Sequence, residues 1–256
     1  MTERAVRIGD TEVARIGLGT NRLSRSSRNV AFIQEAAAAG VGLIDTAHLY
    51  TAGESETTIG EALHPIPEGV VVATKGGYRP GEGKPDVLRD QIEESLRRLQ
   101  TDTIELYYLH RVHPDTPLER SLEVIAEARE QGKIRHVGIS EVGVDQIERA
   151  RAVVPIVAVQ NHYNLGERGH EGVIDHCTAE GIFFVPYFPL RADPPRAVYE
   201  IAERHGATPE QITLAWMLRR SPVVLPIPGT LSLAHLKDNL AAEQIELSDE
   251  EFAALR

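Results

Sequence analysis

The chain has 256 residues, of which 42% are hydrophobic and 25% are charged, a composition typical of a soluble globular protein. Lys and Arg total 27 against 38 Asp and Glu, so a net charge of −11 argues against nucleic-acid binding and against binding to an anionic membrane. The single cysteine, Cys177, excludes an intramolecular disulfide and a Cys-x-x-Cys metal site, and predicts a free thiol in a reducing cytoplasm. We find no signal-peptide core after Met1, and no apolar run near the roughly 20 residues of a transmembrane helix.

The first predicted element is a β-hairpin. Val6 and Ile8 alternate with polar residues before Gly9-Asp10, and Val13 continues the alternation on the other side. A Gly-Asp pair between two alternating runs is typical of a tight hairpin turn.

Short apolar runs and amphipathic segments then alternate along the chain. Helical spacing of apolar residues is clear over Val87–Leu99 and Leu118–Ala126 and weaker over Val144–Val154. Ser232 is the predicted N-cap of a helix over Leu233–Ala241. The apolar runs are eight candidate strands: Ala14–Leu18, Gly42–Ile44, Val70–Ala73, Ile104–Leu109, His136–Ile139, Ile156–Val159, Ile182–Val185 and Val223–Ile227.

Strands that are apolar on both faces and alternate with helices predict a parallel sheet covered by helices. The sheet could be open and doubly wound, or closed into a (β/α)8 barrel. The strand count and the length favour the α/β architecture of a TIM barrel with an N-terminal β-hairpin. No linker interrupts the chain, so we expect a single domain over residues 1–256. The active site of such a barrel lies at the C-terminal ends of its strands.

Polar side chains directly follow three consecutive predicted strands. Asp45 follows the second strand, Lys75 the third and His110 the fourth, and Tyr50 comes five residues after Asp45. A lysine beside a tyrosine favours the phenolate and lowers the pKa of the tyrosine, and an aspartate would hold that lysine ionised. A histidine could hydrogen-bond the oxygen that the tyrosine protonates. The four residues together predict a site for general acid–base catalysis.

Other interpretations of these residues are weaker. A lone Lys, His or Asp at the end of a strand is more often structural, but the placement of four polar groups on one rim favours a catalytic role. Arg22 stands where a Rossmann turn beginning at Gly17-Leu18-Gly19 would need its third glycine. His110 and His113 have no carboxylate at helical spacing, so no metal site is expected. Ser140 lacks the Gly-x-Ser-x-Gly context of a nucleophile elbow.

The last predicted strand leads into a candidate phosphate site. Pro226–Thr230 connects directly to the helix capped by Ser232, and free backbone N–H groups at a helix N-terminus bind anions. Phosphate sites in barrels often form after the seventh and eighth strands. The alternative is an ordinary loop before a helix.

Nine stretches of the chain form a recognisable series: Ile16–Thr20, Ile44–Tyr50, Gly53–Glu56, Ala73–Lys75, Leu106–His110, Gly132–Ser140, Val159–Asn161, Pro186–Leu190 and Ile227–Thr230. In this order they resemble the motifs of the aldo-keto reductase superfamily over nearly the full length of the chain. Within that superfamily the chain looks most like the bacterial oxidoreductases that include pyridoxal reductases.

The resemblance implies a (β/α)8 barrel closed below by the hairpin, and reduction of aldehydes or ketones with NADPH or, less often, NADH. It implies that Tyr50 donates the proton, that Lys75 paired with Asp45 lowers the pKa of Tyr50, and that His110 orients the carbonyl group. The implied substrate is a small carbonyl compound, with an aromatic aldehyde such as pyridoxal as a candidate, and the implied assembly is a monomer or weak homo-oligomer.

The resemblance also implies the cofactor-binding residues. Many family members have asparagine after the serine of the fifth strand, whereas this chain has Glu141, which could accept a hydrogen bond from the carboxamide NH2 group. The expected contacts are Tyr187 stacked on the nicotinamide, Ser140 and Gln160 at its carboxamide, Gly229, Thr230 and Lys237 at the 2′-phosphate and adenosine, and Asn239 near the adenine.

Two other functions remain open on the same barrel. One is a nucleotide-sensing regulatory or interaction protein with little turnover, and the other is an enzyme that acts on a sugar phosphate without nicotinamide. The segments after His110 and Tyr187 are short, and the chain ends at Arg256 soon after the segment capped by Ser248. These features predict a shallow, open substrate pocket.

Overall fold

The computed structural model describes residues 5–8 and 11–255. Strands β1 (Ala5–Ile8) and β2 (Thr11–Ala14) pair antiparallel, which confirms the predicted hairpin; the proposed turn at Gly9-Asp10 lies outside the described residues. Ile8 and Val13 belong to the same buried cluster as inward-facing residues of the large sheet. The hairpin therefore covers one end of the barrel interior.

A single parallel sheet of seven strands forms the centre of the molecule, with the strands arranged in chain order. The strands are β3 (Leu18–Gly19), β4 (Leu43–Asp45), β5 (Val71–Gly76), β6 (Ile104–Leu109), β7 (Ile134–Ser140), β8 (Ile156–Gln160) and β9 (Phe183–Phe184). The helices are α1 (Ser27–Ala38), α2 (Glu54–Leu63), α3 (Pro85–Leu99), α4 (Leu118–Glu130), α5 (Val144–Arg151), α6 (Glu171–Glu180), α7 (Arg196–His205), α8 (Pro209–Arg220), α9 (Leu233–Ala241) and α10 (Asp249–Ala254).

The predicted eighth strand, Val223–Ile227, closes the sheet without forming a regular ladder. Two isolated parallel bridges, Phe184 with Val224 and Gly19 with Gly229, join this part of the chain to β9 and β3. Prolines at positions 222, 226 and 228 have no N–H group to donate, so a continuous ladder cannot form. The closed sheet and its surrounding helices confirm the predicted (β/α)8 barrel.

Two predicted elements begin or end at other residues than expected. Ala14 belongs to the hairpin, and the first barrel strand begins only at Leu18. Helix α5 ends at Arg151, so Val154 is buried just beyond it rather than on its face. The helix over Leu233–Ala241 is confirmed with its cap, since the Ser232 side chain accepts a hydrogen bond from a backbone N–H in the first turn.

The core has two layers, one inside the sheet and one between the sheet and the helices. Burial of these side chains orders the strands, and the strand ends in turn fix the position of the rim residues. Within the described residues, no helix is long and apolar enough to cross a membrane. The same residues contain no cluster of three or more His, Cys, Asp or Glu side chains suited to a metal ion.

Candidate active site

The four predicted acid–base residues meet at the C-terminal rim of the barrel. Asp45 ends β4, Lys75 lies near the end of β5, and His110 follows the last residue of β6. Tyr50 begins a turn of 3₁₀ helix, Tyr50–Gly53, directly after the loop from β4. Asp45, Tyr50 and His110 line a cavity of about 780 Å³, and Lys75 is fully buried beside them.

Lys75 and Asp45 form a buried ion pair beneath the cavity. The Lys75 ammonium donates to Asp45 Oδ1 at 2.6 Å and to the backbone carbonyl of Thr46 at 2.6 Å. Gln160 Nε2 donates to the second oxygen of Asp45 at 2.8 Å. Burial favours the neutral amine, but the attraction of Asp45 and Tyr50 outweighs it and raises the pKa of Lys75 above its ordinary value. The lysine is therefore a fixed positive charge at neutral pH.

Tyr50 lies beside this charge. The distance from Lys75 Nζ to the Tyr50 hydroxyl is 3.5 Å, and the ammonium is 5.0 Å from the centre of the Tyr50 ring. Lys75 acts to lower the pKa of Tyr50, as predicted, but burial has the larger effect and raises the pKa above its ordinary value. The hydroxyl thus keeps its proton at neutral pH and is available as a proton donor.

His110 faces Tyr50 across the cavity. The two ring centres are 6.1 Å apart, and the His110 ring is 4.8 Å from that of Tyr78. Burial, together with the nearby charges of Lys75 and Arg111, lowers the pKa of His110 well below its ordinary value. His110 is therefore a neutral imidazole, which can donate a hydrogen bond to a bound oxygen without carrying charge.

Arg111 is a further side chain of the site that the sequence argument missed. Its Nη1 atom donates to the His110 carbonyl at 2.7 Å and to Ser140 Oγ at 3.1 Å. The guanidinium lies 5.4 Å from the Tyr78 ring centre and 5.9 Å from that of Tyr187. Its position directly after a strand-end histidine was the available signal, because the loops that follow the strands form this face of a barrel.

The cavity is cationic although the whole chain is acidic. Three arginines, Arg22, Arg111 and Arg191, line it, and its one carboxylate, Asp45, is neutralised by Lys75. A cluster of positive charge in a chain of net charge −11 favours an anionic ligand at this position.

The residues expected at a nicotinamide ring are arranged around Arg111. Tyr187 stacks on His162 with ring centres 5.2 Å apart, and it lines the cavity. Ser140 Oγ accepts from Arg111, so its own hydroxyl hydrogen is left to donate to a ligand. Gln160 also lines the cavity, but its amide donor is directed at Asp45.

Glu141 does not line this cavity. Its carboxylate accepts a hydrogen bond of 2.7 Å from the backbone N–H of His162, and its backbone adopts a left-handed conformation with φ of 57°. This contact ties Glu141 to His162, whose ring stacks on that of Tyr187.

A second cavity, of about 620 Å³, adjoins the first and shares Arg22, Leu190 and Gly229 with it. Thr230, Ser232, His235 and Asn239 line it, as expected for the loop and helix after the last strand. Lys237 is exposed and lies outside the lining of both cavities, because it points from another side of α9. Two carboxylates, Glu210 and Asp238, line the second cavity instead.

The chain matches proteins of a known family in sequence and in structure. The sequence model of the aldo/keto reductase family matches residues 15–256. The chain belongs to the aldo/keto reductase family. It is therefore an oxidoreductase.

Individual family members match along almost their whole length. An uncharacterised oxidoreductase of Schizosaccharomyces pombe is 38% identical over 98% of this chain and 88% of the relative, and a pyridoxine 4-dehydrogenase of Escherichia coli is 36% identical over 100% and 98%. An aldo-keto reductase of Klebsiella pneumoniae crystallised with NADPH superposes with a TM-score of 0.90 at 31% identity, covering 100% of this chain and 94% of that one. These matches agree with the barrel and with the order of motifs along the chain.

Proposed function

We propose that this aldo-keto reductase reduces an aldehyde or ketone to the alcohol with NADPH, with NADH as the alternative cofactor. The observation that carries the proposal is the contact of Lys75 with both Asp45 and Tyr50 at the base of a cationic cavity. A protonated tyrosine held beside a fixed ammonium can act as a general acid, and a neutral histidine opposite can bind the carbonyl oxygen.

The donor set of the two cavities fits a nicotinamide dinucleotide. Arg22 and Arg191 offer positive charge for the linking phosphates, and Ser140 offers a hydroxyl for the carboxamide. Tyr187 offers an aromatic face for the nicotinamide ring. The loop at Gly229 and Thr230, followed by the N-terminus of α9, would hold the adenosine end. When bound, NADPH supplies the hydride to the carbonyl carbon.

The residues of the chain supply the proton and orient the carbonyl group. The C=O double bond becomes a C–O single bond as the Tyr50 hydroxyl gives its proton to the oxygen. The Lys75 ammonium stabilises the tyrosinate that this leaves, and Asp45 keeps the ammonium in place. His110 is placed to hold the carbonyl oxygen before the transfer. The tyrosinate then recovers a proton from solvent.

Pyridoxal is the first substrate to test. A relative that spans the full chain is named a pyridoxine 4-dehydrogenase, and pyridoxal is the aldehyde that corresponds to pyridoxine oxidised at one hydroxymethyl group. Tyr78 and Phe188 present partly exposed aromatic surface beside the cavity, which suits an aromatic aldehyde. We propose that this activity resides in one domain over residues 1–256, in a cytoplasmic monomer or weak homo-oligomer.

The test is turnover of NADPH by the purified protein with pyridoxal and with a simple aromatic aldehyde, followed by the loss of NADPH absorbance. Alcohol formed in proportion to NADPH consumed supports the proposal. Tight NADPH binding without turnover of any carbonyl compound would instead favour a nucleotide-sensing protein. Absence of cofactor binding, measured by fluorescence quenching, would favour an enzyme that acts on a sugar phosphate.

A further inference from the structure

The turn that carries Tyr50 has an unfavourable backbone. Thr51 has φ and ψ of 48° and 38°, and Ala52 has 55° and 36°, both in the left-handed region. Gly53 follows with φ of 91°. Side chains on L-residues disfavour this conformation, so two such residues in succession persist only where surrounding contacts impose them.

Arg98, on helix α3, makes contacts at both ends of this turn. Its Nη1 atom donates to the backbone carbonyl of His48 at 3.0 Å, two residues before Tyr50. A Cβ atom built on Gly53 would lie 2.3 Å from the guanidinium carbon of Arg98, so the guanidinium packs directly against the glycine backbone. Arg98 therefore limits movement of the segment from His48 to Gly53 on both sides of Tyr50.

Glu56 connects this arginine to the strand that carries Lys75. The Glu56 side chain is fully buried, and its Oε2 atom accepts from Arg98 Nη1 at 3.1 Å. Its Oε1 atom accepts from the Thr74 hydroxyl at 2.6 Å. Thr74 immediately precedes Lys75 on β5. One buried carboxylate thus joins the turn of Tyr50 to the strand of Lys75.

We propose that Arg98 and Glu56 are positioning residues that hold the Tyr50 hydroxyl at its working distance from Lys75. This inference rests on the proposed role of Tyr50 as proton donor. Neither residue lines the substrate cavity, so neither contacts substrate directly. Their contacts fix the relative position of two elements, α2 with its preceding turn and β5, that carry the proton donor and its charged neighbour.

The test is the kinetics of Arg98→Ala, with carbonyl reduction and NADPH binding measured separately. We expect kcat to fall by about ten- to a hundredfold, since displacement of a catalytic group by about 1 Å can lower a rate a hundredfold. The dissociation constant and the stoichiometry of NADPH are expected to stay unchanged, because Arg98 lines neither cavity. Arg89→Met is the matched control: it lies on the same helix and loses only a surface ion pair with Glu127, so its kcat is expected to equal that of the wild type.

Arg98→Lys keeps the charge that the buried Glu56 requires and provides the test if Arg98→Ala does not fold. A single ammonium cannot replace the planar fork that reaches His48, Glu56 and Glu94 together, so kcat is expected to fall several-fold with NADPH affinity unchanged. The inference is overturned if kcat of the folded Arg98 variant stays within twofold of the wild type. It is also overturned if kcat falls only in proportion to the fraction of protein that binds NADPH. Retention of full turnover by Tyr50→Phe would instead overturn the proposed function itself.

Discussion

At the scale of single residues, the chemistry depends on whether Tyr50 holds its proton until the carbonyl oxygen needs it. Removing only the hydroxyl in Tyr50→Phe keeps the ring in place and deletes the proposed donor. General acid catalysis contributes about 10²–10⁴-fold, so we expect a loss of that size in kcat for carbonyl reduction. NADPH affinity, measured by fluorescence titration, should remain close to that of the wild type. Unchanged turnover of a good aldehyde substrate would contradict the assignment.

The raised pKa of Tyr50 predicts the pH dependence of the reduction. The active form is the protonated tyrosine, which is present below its pKa and lost as the pH rises through it. Because burial places that pKa above its ordinary value of 10.0, and His110 stays neutral above its ordinary value of 6.5, kcat should be constant between those two values. An uncharged aldehyde avoids titration of the substrate in this measurement. A fall in kcat with a midpoint below 10 would show that the effect of Lys75 on the Tyr50 pKa outweighs the effect of burial.

Lys75 is expected to matter for both activity and stability. In Lys75→Met, Tyr50 loses the largest of the charges that oppose the rise of its pKa, and the tyrosinate formed in the reaction loses its nearest stabilising partner. Asp45 is left buried and unpaired, and breaking a buried ion pair in this way destabilises a protein by about 3–5 kcal/mol. Both kcat and the free energy of unfolding should therefore fall.

The double variant Lys75→Met/Asp45→Asn separates these two effects. It removes the unpaired carboxylate, so the free energy of unfolding should recover in part while kcat stays low. Full activity of Lys75→Met at neutral pH would contradict the role of the ammonium.

At the scale of elements, we expect helix α9 to determine how the two cofactors are distinguished. Asp238 lines the second cavity, where we propose that the adenosine end binds, whereas Lys237 points elsewhere. A carboxylate there repels a 2′-phosphate, so we expect Asp238→Lys to strengthen NADPH binding over NADH by about three- to tenfold at low salt, and less at high salt. The preference for NADPH is measured from the dissociation constants of both cofactors at low and at high salt concentration. Lys237→Met is the matched control, and a larger change in that variant than in Asp238→Lys would contradict the placement of these side chains.

At the scale of the whole molecule, short segments form the wall of the substrate cavity. Directly after Tyr187, only the four residues Phe188–Arg191 of that segment line the cavity, and the next lining residues in the chain are Ile227, Pro228 and Gly229. Because this segment is short, it can contact only a small part of a bound substrate. Fewer contacts leave less binding energy to discriminate between substrates. We expect high KM values for small aldehydes, tolerance of bulky ones and rapid cofactor release. A size series of aldehydes with stopped-flow release of NADP(H) tests this, and a sharp size cut-off with slow release would show a closed pocket.

The local features of the fold could be predicted because each depends on neighbours in the chain. The hairpin followed from alternation around Gly9-Asp10, and helix α9 followed from Ser232 as its N-cap. The order of Asp45, Tyr50, Lys75 and His110 after successive strands was enough to place them on one rim, since parallel strands end at the same face. The sequence by itself therefore favoured the barrel over an open sheet and predicted that these four residues share one rim.

Tertiary structure decided what depends on distances across the barrel and on burial. The pKa of Tyr50 rises because desolvation outweighs one ammonium at 3.5 Å, a balance that no spacing reveals. Lys237 lies outside the cavities because the orientation of α9 directs Asp238 there instead. Arg98 reaches the turn of Tyr50 from a helix 48 residues further along the chain, and only the packing of α3 against α2 brings them together. Local patterns specify elements, whereas the charge and position of each site residue follow from how those elements pack.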